Sequence, residues 1–562
     1  MGAQMSHKIF LIGLDAFSPK LVERWASEGK LPTLSTLIRE GAWGYLESVP
    51  NMNSAAAWPT AFTGKNPGKH GCYWFTTPIP GSYKFRYTNG TDLKAKTVWQ
   101  LLSERGKRVG VINVPMTYPA QAVNGFWISG IDAPGIDSKG FTYPDSLLET
   151  LVRHCGRYIH FSSAAELAAG GRMDEAITRL QEAIASRTCA TLYLRKTYDP
   201  DFLVSVFMES DHAMHAFWKY FDPAHPLYEP NSKYRDVILG VYQQLDEAIR
   251  ALVTDLPDDT IVMIMSDHGA GINTYGAIYL NDWLHSQGLL AYRRKSLYSI
   301  PKSLLLEWIN KLYMYLLKKG AGLRSIQIVK ELFPNLRGMI EAQMWYANID
   351  WEHTLAFSDG IWDCIRINLA GREPLGIVQQ GTEYEEVRER IIAGLSDCRD
   401  VVTGERVVDR VAKREDLYYG DYVVLAPDIE VKWKEGQVIH GLVKGAKPAF
   451  ERSISLMNTV SGAHQSYGIF IAWGKPIRRG FKVTGMHIMD IAPTILYAMG
   501  EAVPVDMDGK VQHQIFEGKF VQVNPLQTCG STTFFSPQTG IDYSEEEAQE
   551  VEKRLRSLGY LQ

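Results

Sequence analysis

Five short stretches of this chain are almost wholly apolar: residues 9–14, 109–114, 202–208, 261–265 and 469–473. Runs of that length without polar alternation mark strands covered on both faces. Helical spacing separates them, over 19–28 and 34–40 after the first run and over 246–253 before the fourth. That alternation predicts an α/β fold, with a mostly parallel central sheet flanked by helices. In such sheets ligands bind outside the carboxyl ends of the strands. The residues standing there are Asp15, then Glu209, Ser210 and Asp211, then Ser266, Asp267 and His268.

At 562 residues the chain is long enough for a large core with insertions. Forty-five per cent of residues are hydrophobic and 22% charged, which suits a globular protein. A net charge of −4 with no basic stripe argues against a nucleic-acid polymer as partner. The six cysteines (Cys72, Cys155, Cys189, Cys364, Cys398 and Cys529) contain no C-x-x-C pair. That speaks against a cysteine zinc site and, in so long a chain, against a disulfide framework. The N-terminus lacks the signature of a signal peptide. No run reaches the roughly 20 apolar residues of a membrane helix. A cytoplasmic protein without a transmembrane segment is expected, and a homo-oligomer is left open.

Residues 295–344 differ from their surroundings. Leu304, Leu305, Trp308, Leu312, Tyr315 and Leu316 recur at helical spacing among lysines. This predicts an inserted helical cap over the active-site edge, with a membrane-surface helix or a dimer contact as the alternatives. The expected organisation is a catalytic core of residues 1–294 and 345–515, the cap at 295–344, and a C-terminal strap at 516–562 carrying a charged helix over 544–558.

Asp267-His268-Gly269 sets a carboxylate and an imidazole side by side after a strand, where both can reach one cation. Asp211 and His215 are four residues apart, on one face of a helix if a helix forms there. His464 sits in a loop before the last apolar run. Each has an ordinary alternative: Asp15 and Asp211 as helix caps, His215 as a core histidine, His464 as an exposed one.

Taken in order, the pattern is Asp, Ser, Asp-x-x-x-His, Asp-His-Gly and a late His. It resembles the type I phosphodiesterase and nucleotide pyrophosphatase branch of the alkaline phosphatase superfamily. The likeness is greatest to the group described as predicted phosphohydrolases or phosphomutases. It extends over nearly the whole chain. Its landmarks are Gly13-Leu14-Asp15, the run from Trp58 to Gly71 with Thr63-Gly64 and His70-Gly71, Asn113-Val114-Pro115, Ser266-Asp267-His268-Gly269 and Asp490-Ile491-Ala492-Pro493-Thr494.

The resemblance implies a metal-dependent phosphoric ester hydrolase of the alkaline phosphatase-like fold, acting on a small-molecule phosphate ester. The family's nucleophile lies ten residues before the Gly of Thr-Gly, which here is Ser54, with Thr60 the rival. Pro59 suggests that the helix following the nucleophile starts near Trp58. Two divalent ions are implied, Zn²⁺ or else Mn²⁺. Asp15, Ser54, Asp267 and His268 would hold the first; Asp211, His215 and His464 would hold the second. Ser54 would pass through a phosphoserine. The Asn that follows His-Gly in nucleotide pyrophosphatases is missing here, which puts nucleotide diester specificity in doubt. Asn53 and Asn113 could replace it by position, and Trp58, with Tyr73, Trp74 and Trp218, is expected at the pocket mouth. His212 receives no role. A phosphomutase of the same superfamily and an inactive binding protein are the alternatives. A sulfatase is excluded because residues 54–58 lack the C/S-x-P-x-R context, and a P-loop because residues 64–69 lack its spacing.

Overall fold

The computed structural model describes residues 7–273, 277–278, 280–293, 349–358, 363–437, 439, 442–444, 447–450, 454–455, 460–532 and 543–557. The cap expected at 295–344 lies outside them. Nine strands, numbered along the chain, form the central sheet: β1 (Lys8–Leu14), β2 (Ala42–Glu47), β3 (Val109–Val114), β4 (Gly125–Ser129), β5 (Thr142–Tyr143), β6 (Phe202–Phe207), β7 (Thr260–Met265), β8 (Tyr467–Trp473) and β9 (Phe481–His487). Their order is β9-β2-β8-β7-β1-β6-β3-β4-β5. The pairs from β7 to β4 are all parallel, as is β9 with β2. The mostly parallel sheet is therefore present.

One run departs from that reading. The apolar run 469–473 predicts another parallel strand, but β8 runs antiparallel to both β2 and β7. A wholly apolar run reports burial on both faces, and burial carries no information on direction.

The sheet is covered on both sides. Ile9, Leu11, Val204 and Met263 face a core built with the helices Ser54–Thr63, Val98–Glu104 and Ile491–Ala498. Phe10, Ile12, Leu203 and Ile264 face the opposite core, with the helices Pro19–Ser27, Pro32–Glu40, Met173–Tyr198, Glu209–Phe221 and Val237–Val253. Neighbouring residues of one strand thus feed opposite cores, as the pleat requires. The register matters for function. Leu14 lies level with Phe207, and Gly13 with Met265. Asp15, Glu209 and Asp267 consequently leave the sheet at one edge.

A second, smaller sheet is antiparallel, in the order Ala356–Phe357, Cys364–Ile367, Ile429–Trp433, Val408–Lys413. It packs with the helix Thr382–Ser396 around Ile365, Ile367, Ile391, Leu395 and Ile429. The C-terminal helix Glu545–Ser557 is tied to the loop after β4, where Arg554 donates to the carbonyls of Ile131 at 2.7 Å and Pro134 at 2.9 Å. Among the described residues no helix is long and apolar enough to cross a membrane.

Cysteine usage also departs from expectation. Cys155, at the end of the helix Leu147–Cys155, is disulfide-bonded to Cys189 on the helix Met173–Tyr198. Sequence spacing could not show that these helices bring the two Cα atoms to 5.8 Å. One disulfide is therefore present in a chain whose cysteine spacing speaks against a framework of them.

Candidate metal centre and nucleophile

The first cluster is built where β1 and β7 end. Asp15 and Asp267-His268 follow these adjacent parallel strands, and their ligand atoms lie within 4.8 Å of one another. All three residues are fully buried. Ser54 enters from the N-terminus of its helix. Its hydroxyl donates to Asp267 Oδ2 at 2.8 Å, and lies 3.5 Å from Asp15 Oδ2 and 3.3 Å from His268 Nε2. The helix can come this close because β1 has Gly13 there: a Cβ at that position would stand 2.7 Å from the Trp58 ring.

The helix starts at Ser54 itself, not near Trp58 as Pro59 suggested. Asn53 caps it, its side-chain oxygen accepting from the Ala55 N–H at 3.0 Å. Pro59 lies inside the helix. An interior proline costs about 3 kcal/mol, and here the whole helix is buried, so packing offsets that cost.

The second cluster is built from a helix face and a hairpin. Asp211 and His215 stand one turn apart on the helix Glu209–Phe221, and His464 comes from the strand Gly462–Gln465, which pairs with Gly269–Ile272. His464 is thus in a strand, where a loop was expected. Gly462 permits the contact, because a Cβ there would fall 2.1 Å from Met214 Sδ. His215 Nε2 lies 3.1 Å and His464 Nε2 3.4 Å from Asp211 Oδ1. The clusters adjoin, with the His268 and His464 rings stacked at 3.8 Å.

The three imidazoles share one arrangement. Nδ1 of His268 donates to the Gly269 carbonyl at 3.0 Å, Nδ1 of His215 to that of Gly462 at 3.2 Å, and Nδ1 of His464 to that of Met52 at 2.8 Å. A carbonyl can only accept, so each Nδ1 carries a hydrogen and each ring turns its Nε2, the remaining ligand atom, inward. Nε2 of His215 and Nε2 of His464 then face each other at 3.3 Å. Asp15 Oδ1 and Asp211 Oδ2 are buried with no hydrogen-bond partner. Imidazole Nε2 atoms converging beside buried carboxylate oxygens are the donor set of a cation site.

The acidities agree. Burial, then the charges of Asp267 and Asp211, push the Asp15 carboxyl well above its ordinary range. Burial pushes Asp267 up to about 7. Burial opposes a charged Asp211, yet His215 and His464 hold it well below the usual carboxylate value. Burial likewise drives His268 well below the ordinary imidazole value. Three carboxylates crowded into a dry site need positive charge to ionise together.

The other expected residues are placed as follows. Trp58 is fully buried and donates its indole N–H to Asp15 Oδ2 at 3.0 Å, so it supports a cluster residue and does not line the pocket mouth. Tyr73 and Trp218 are also buried, which removes them from the mouth. Asn113 is buried at a positive φ of 58° and donates to the Val206 carbonyl at 3.2 Å. Thr60 turns to His70, 2.8 Å from its Nε2, and takes no part in either cluster. His212 contacts the Ser162 hydroxyl at 2.7 Å through Nδ1. Sequence reasoning missed the Trp58–Asp15 bond and the carbonyl behind each imidazole. Gly462, two residues before His464, was the one local signal of a close approach.

A family model described as type I phosphodiesterase / nucleotide pyrophosphatase matches residues 9–440. Among solved structures, the phosphonoacetate hydrolase of Sinorhizobium meliloti 1021 in complex with phosphonoformate matches at 13% identity with a TM-score of 0.51, over 88% of this chain and 95% of that one. Human ectonucleotide pyrophosphatase / phosphodiesterase 5 matches at 13% identity with a TM-score of 0.47, over 92% of this chain and 99% of its own. At such identity the hydrolase likeness is one of fold, and it agrees with the alkaline phosphatase-like sheet described above. No curated protein matches the sequence.

Proposed function

Since the chain belongs to the type I phosphodiesterase / nucleotide pyrophosphatase family, a family of phosphoester hydrolases, we propose that it hydrolyses a small-molecule phosphate ester through a phosphoserine on Ser54. The observation that carries this reading is the convergence of the Nε2 atoms of His215 and His464 on Asp211, next to the Ser54 cluster. Asp15, Ser54, Asp267 and His268 are assigned to one divalent cation and Asp211, His215 and His464 to a second, Zn²⁺ or Mn²⁺ by the mixed carboxylate and imidazole donors. Bound there, the two ions would polarise the phosphoryl oxygens and lower the pKa of the Ser54 hydroxyl and of a water.

The chain's own part follows from its contacts. Ser54 sits at a helix N-terminus, where the helix dipole favours a phosphate. Its proton already points to Asp267 Oδ2. Ser54 Oγ forms a bond to phosphorus as the ester P–O bond breaks, and the alcohol leaves with the proton that Ser54 gives up. Water then attacks phosphorus, one of its protons passes to Ser54 Oγ as the P–Oγ bond breaks, and the phosphate product departs. His70-Gly71 runs into Cys72-Tyr73-Trp74-Phe75, without the Asn that nucleotide pyrophosphatases have soon after their His-Gly. This favours simple esters over nucleotide diesters.

The test is a hydrolysis screen of monoesters, diesters and nucleotides with Zn²⁺ or Mn²⁺ added, alongside elemental analysis. Turnover that a chelator abolishes, with two ions per chain, is expected. Transfer of phosphate to a second alcohol without release would make the protein a mutase. Metal-free protein with chelator-resistant activity would overturn the reading.

A further inference from the structure

We propose that the buried Arg187–Glu209 ion pair positions the second ligand cluster; the inference rests on Asp211, His215 and His464 being ligands as read above. Glu209 is the first residue of the helix that carries Asp211 and His215, and only Met208 separates it from the end of β6. Both side chains are fully buried. Arg187 Nη1 donates to Glu209 Oε1 at 2.8 Å and Oε2 at 2.9 Å. Its Nη2 donates to the carbonyls of Ile159 and His160, both at 3.2 Å. One guanidinium therefore joins the start of the ligand helix to the segment leading to Ser162, which contacts His212 at 2.7 Å. The Phe161 ring meets the His212 ring edge-on at 5.1 Å. Both sides of Asp211 are thus held from outside the cluster.

Stability alone does not select such a pair. Desolvating two ions costs several kcal/mol each, and apolar residues of similar volume often do as well or better. What the pair supplies is direction, through a planar fork with four donor contacts fixed in angle. Residues two apart on a helix point away from each other. Glu209 thus faces Arg187 while Asp211 faces the cluster, and its charge is neutralised where it could otherwise compete for a cation.

The experiment compares the wild type with Arg187→Met/Glu209→Leu and with Glu209→Gln. It measures melting temperature, the affinity of each Zn²⁺ by calorimetry, and kcat and KM. The double variant is expected to melt no lower than the wild type and to bind the first ion normally. It should bind the second ion about 10–100-fold more weakly, as lost support behind metal ligands typically does. Its kcat should fall while KM changes little. Glu209→Gln should weaken the second ion in the same sense, and it decides the matter if the double variant fails to fold. Wild-type affinity for both ions in either folded variant overturns the proposal. Should Asp211→Asn leave both ions bound, the ligand reading itself falls, and this inference with it.

Discussion

The two candidate ligand clusters are neighbours built by different means. The first hangs on the ends of two adjacent parallel strands and a capped helix, and all its residues are fully buried. Its geometry follows from sheet register, which the backbone ladder enforces. The second joins a helix face to a short hairpin strand, and the His464 side chain keeps 17% of its surface exposed. No ladder of the main sheet fixes it, so it depends on glycine-permitted packing at Gly462 and on the buried pair behind the helix. On the proposed mechanism the difference fits separate tasks. A rigid, dry cluster suits the nucleophile, while a more open one suits entry of water and release of product.

The largest effect should come from the first cluster. Ser54→Ala is expected to cut turnover on the order of 10⁴-fold or more, with the fold kept because Asp15, Asp267 and His268 remain in place. Thr60→Ala, whose hydroxyl pairs with His70, should be far milder. Assaying both against one ester checks the placement; full activity in the first with loss in the second would move the nucleophile to Thr60.

Next in size is the contrast between Asp267→Asn and Asp211→Asn. Each should lose one ion in elemental analysis and at least about 10²-fold in activity, since ligand loss exceeds typical support effects. Asp211→Asn should leave the first ion in place. If either change released both ions, the clusters would be one cooperative site and the contrast drawn above would be wrong.

Cys155→Ser sharpens the comparison through stability. The disulfide spans 34 residues and sits two positions from Arg187. Loop-closure entropy sets its contribution at about 3–4 kcal/mol. Denaturant unfolding should show a loss of that order, with affinity for the first ion unchanged. An equal weakening of both ions would count against separate support.

The smallest effect uses a buried carboxyl outside both clusters. Glu430 accepts from the Tyr418 hydroxyl at 2.8 and 2.9 Å, and burial raises its pKa from 4.5 to about 7. Between these values the folded state holds a proton that the unfolded state has lost, so stability falls as pH rises through the window. Glu430→Gln removes that fall. It should stabilise the protein by at most about 3 kcal/mol above pH 7 and have little effect below pH 4.5, with metal content unchanged. A gain independent of pH would refute the account.

Much of this protein is written locally. Apolar runs without alternation report strands buried on both faces, so β1, β3, β6 and β7 were legible, and with them the edge where Asp15, Asp211 and Asp267 stand. The four-residue spacing of Asp211 and His215 told which helix face they share. Other features needed the assembled chain. The direction of β8, the strand position of His464, the Cys155–Cys189 bond and the start of the Ser54 helix all depend on what packs where. So do the indole of Trp58 on Asp15 and the pairing of Arg187 with Glu209. A residue's own neighbours set its backbone preference and burial pattern. Which ring nitrogen faces which, across a sequence separation of 249 from His215 to His464, is settled only when the sheet and helices have closed around them.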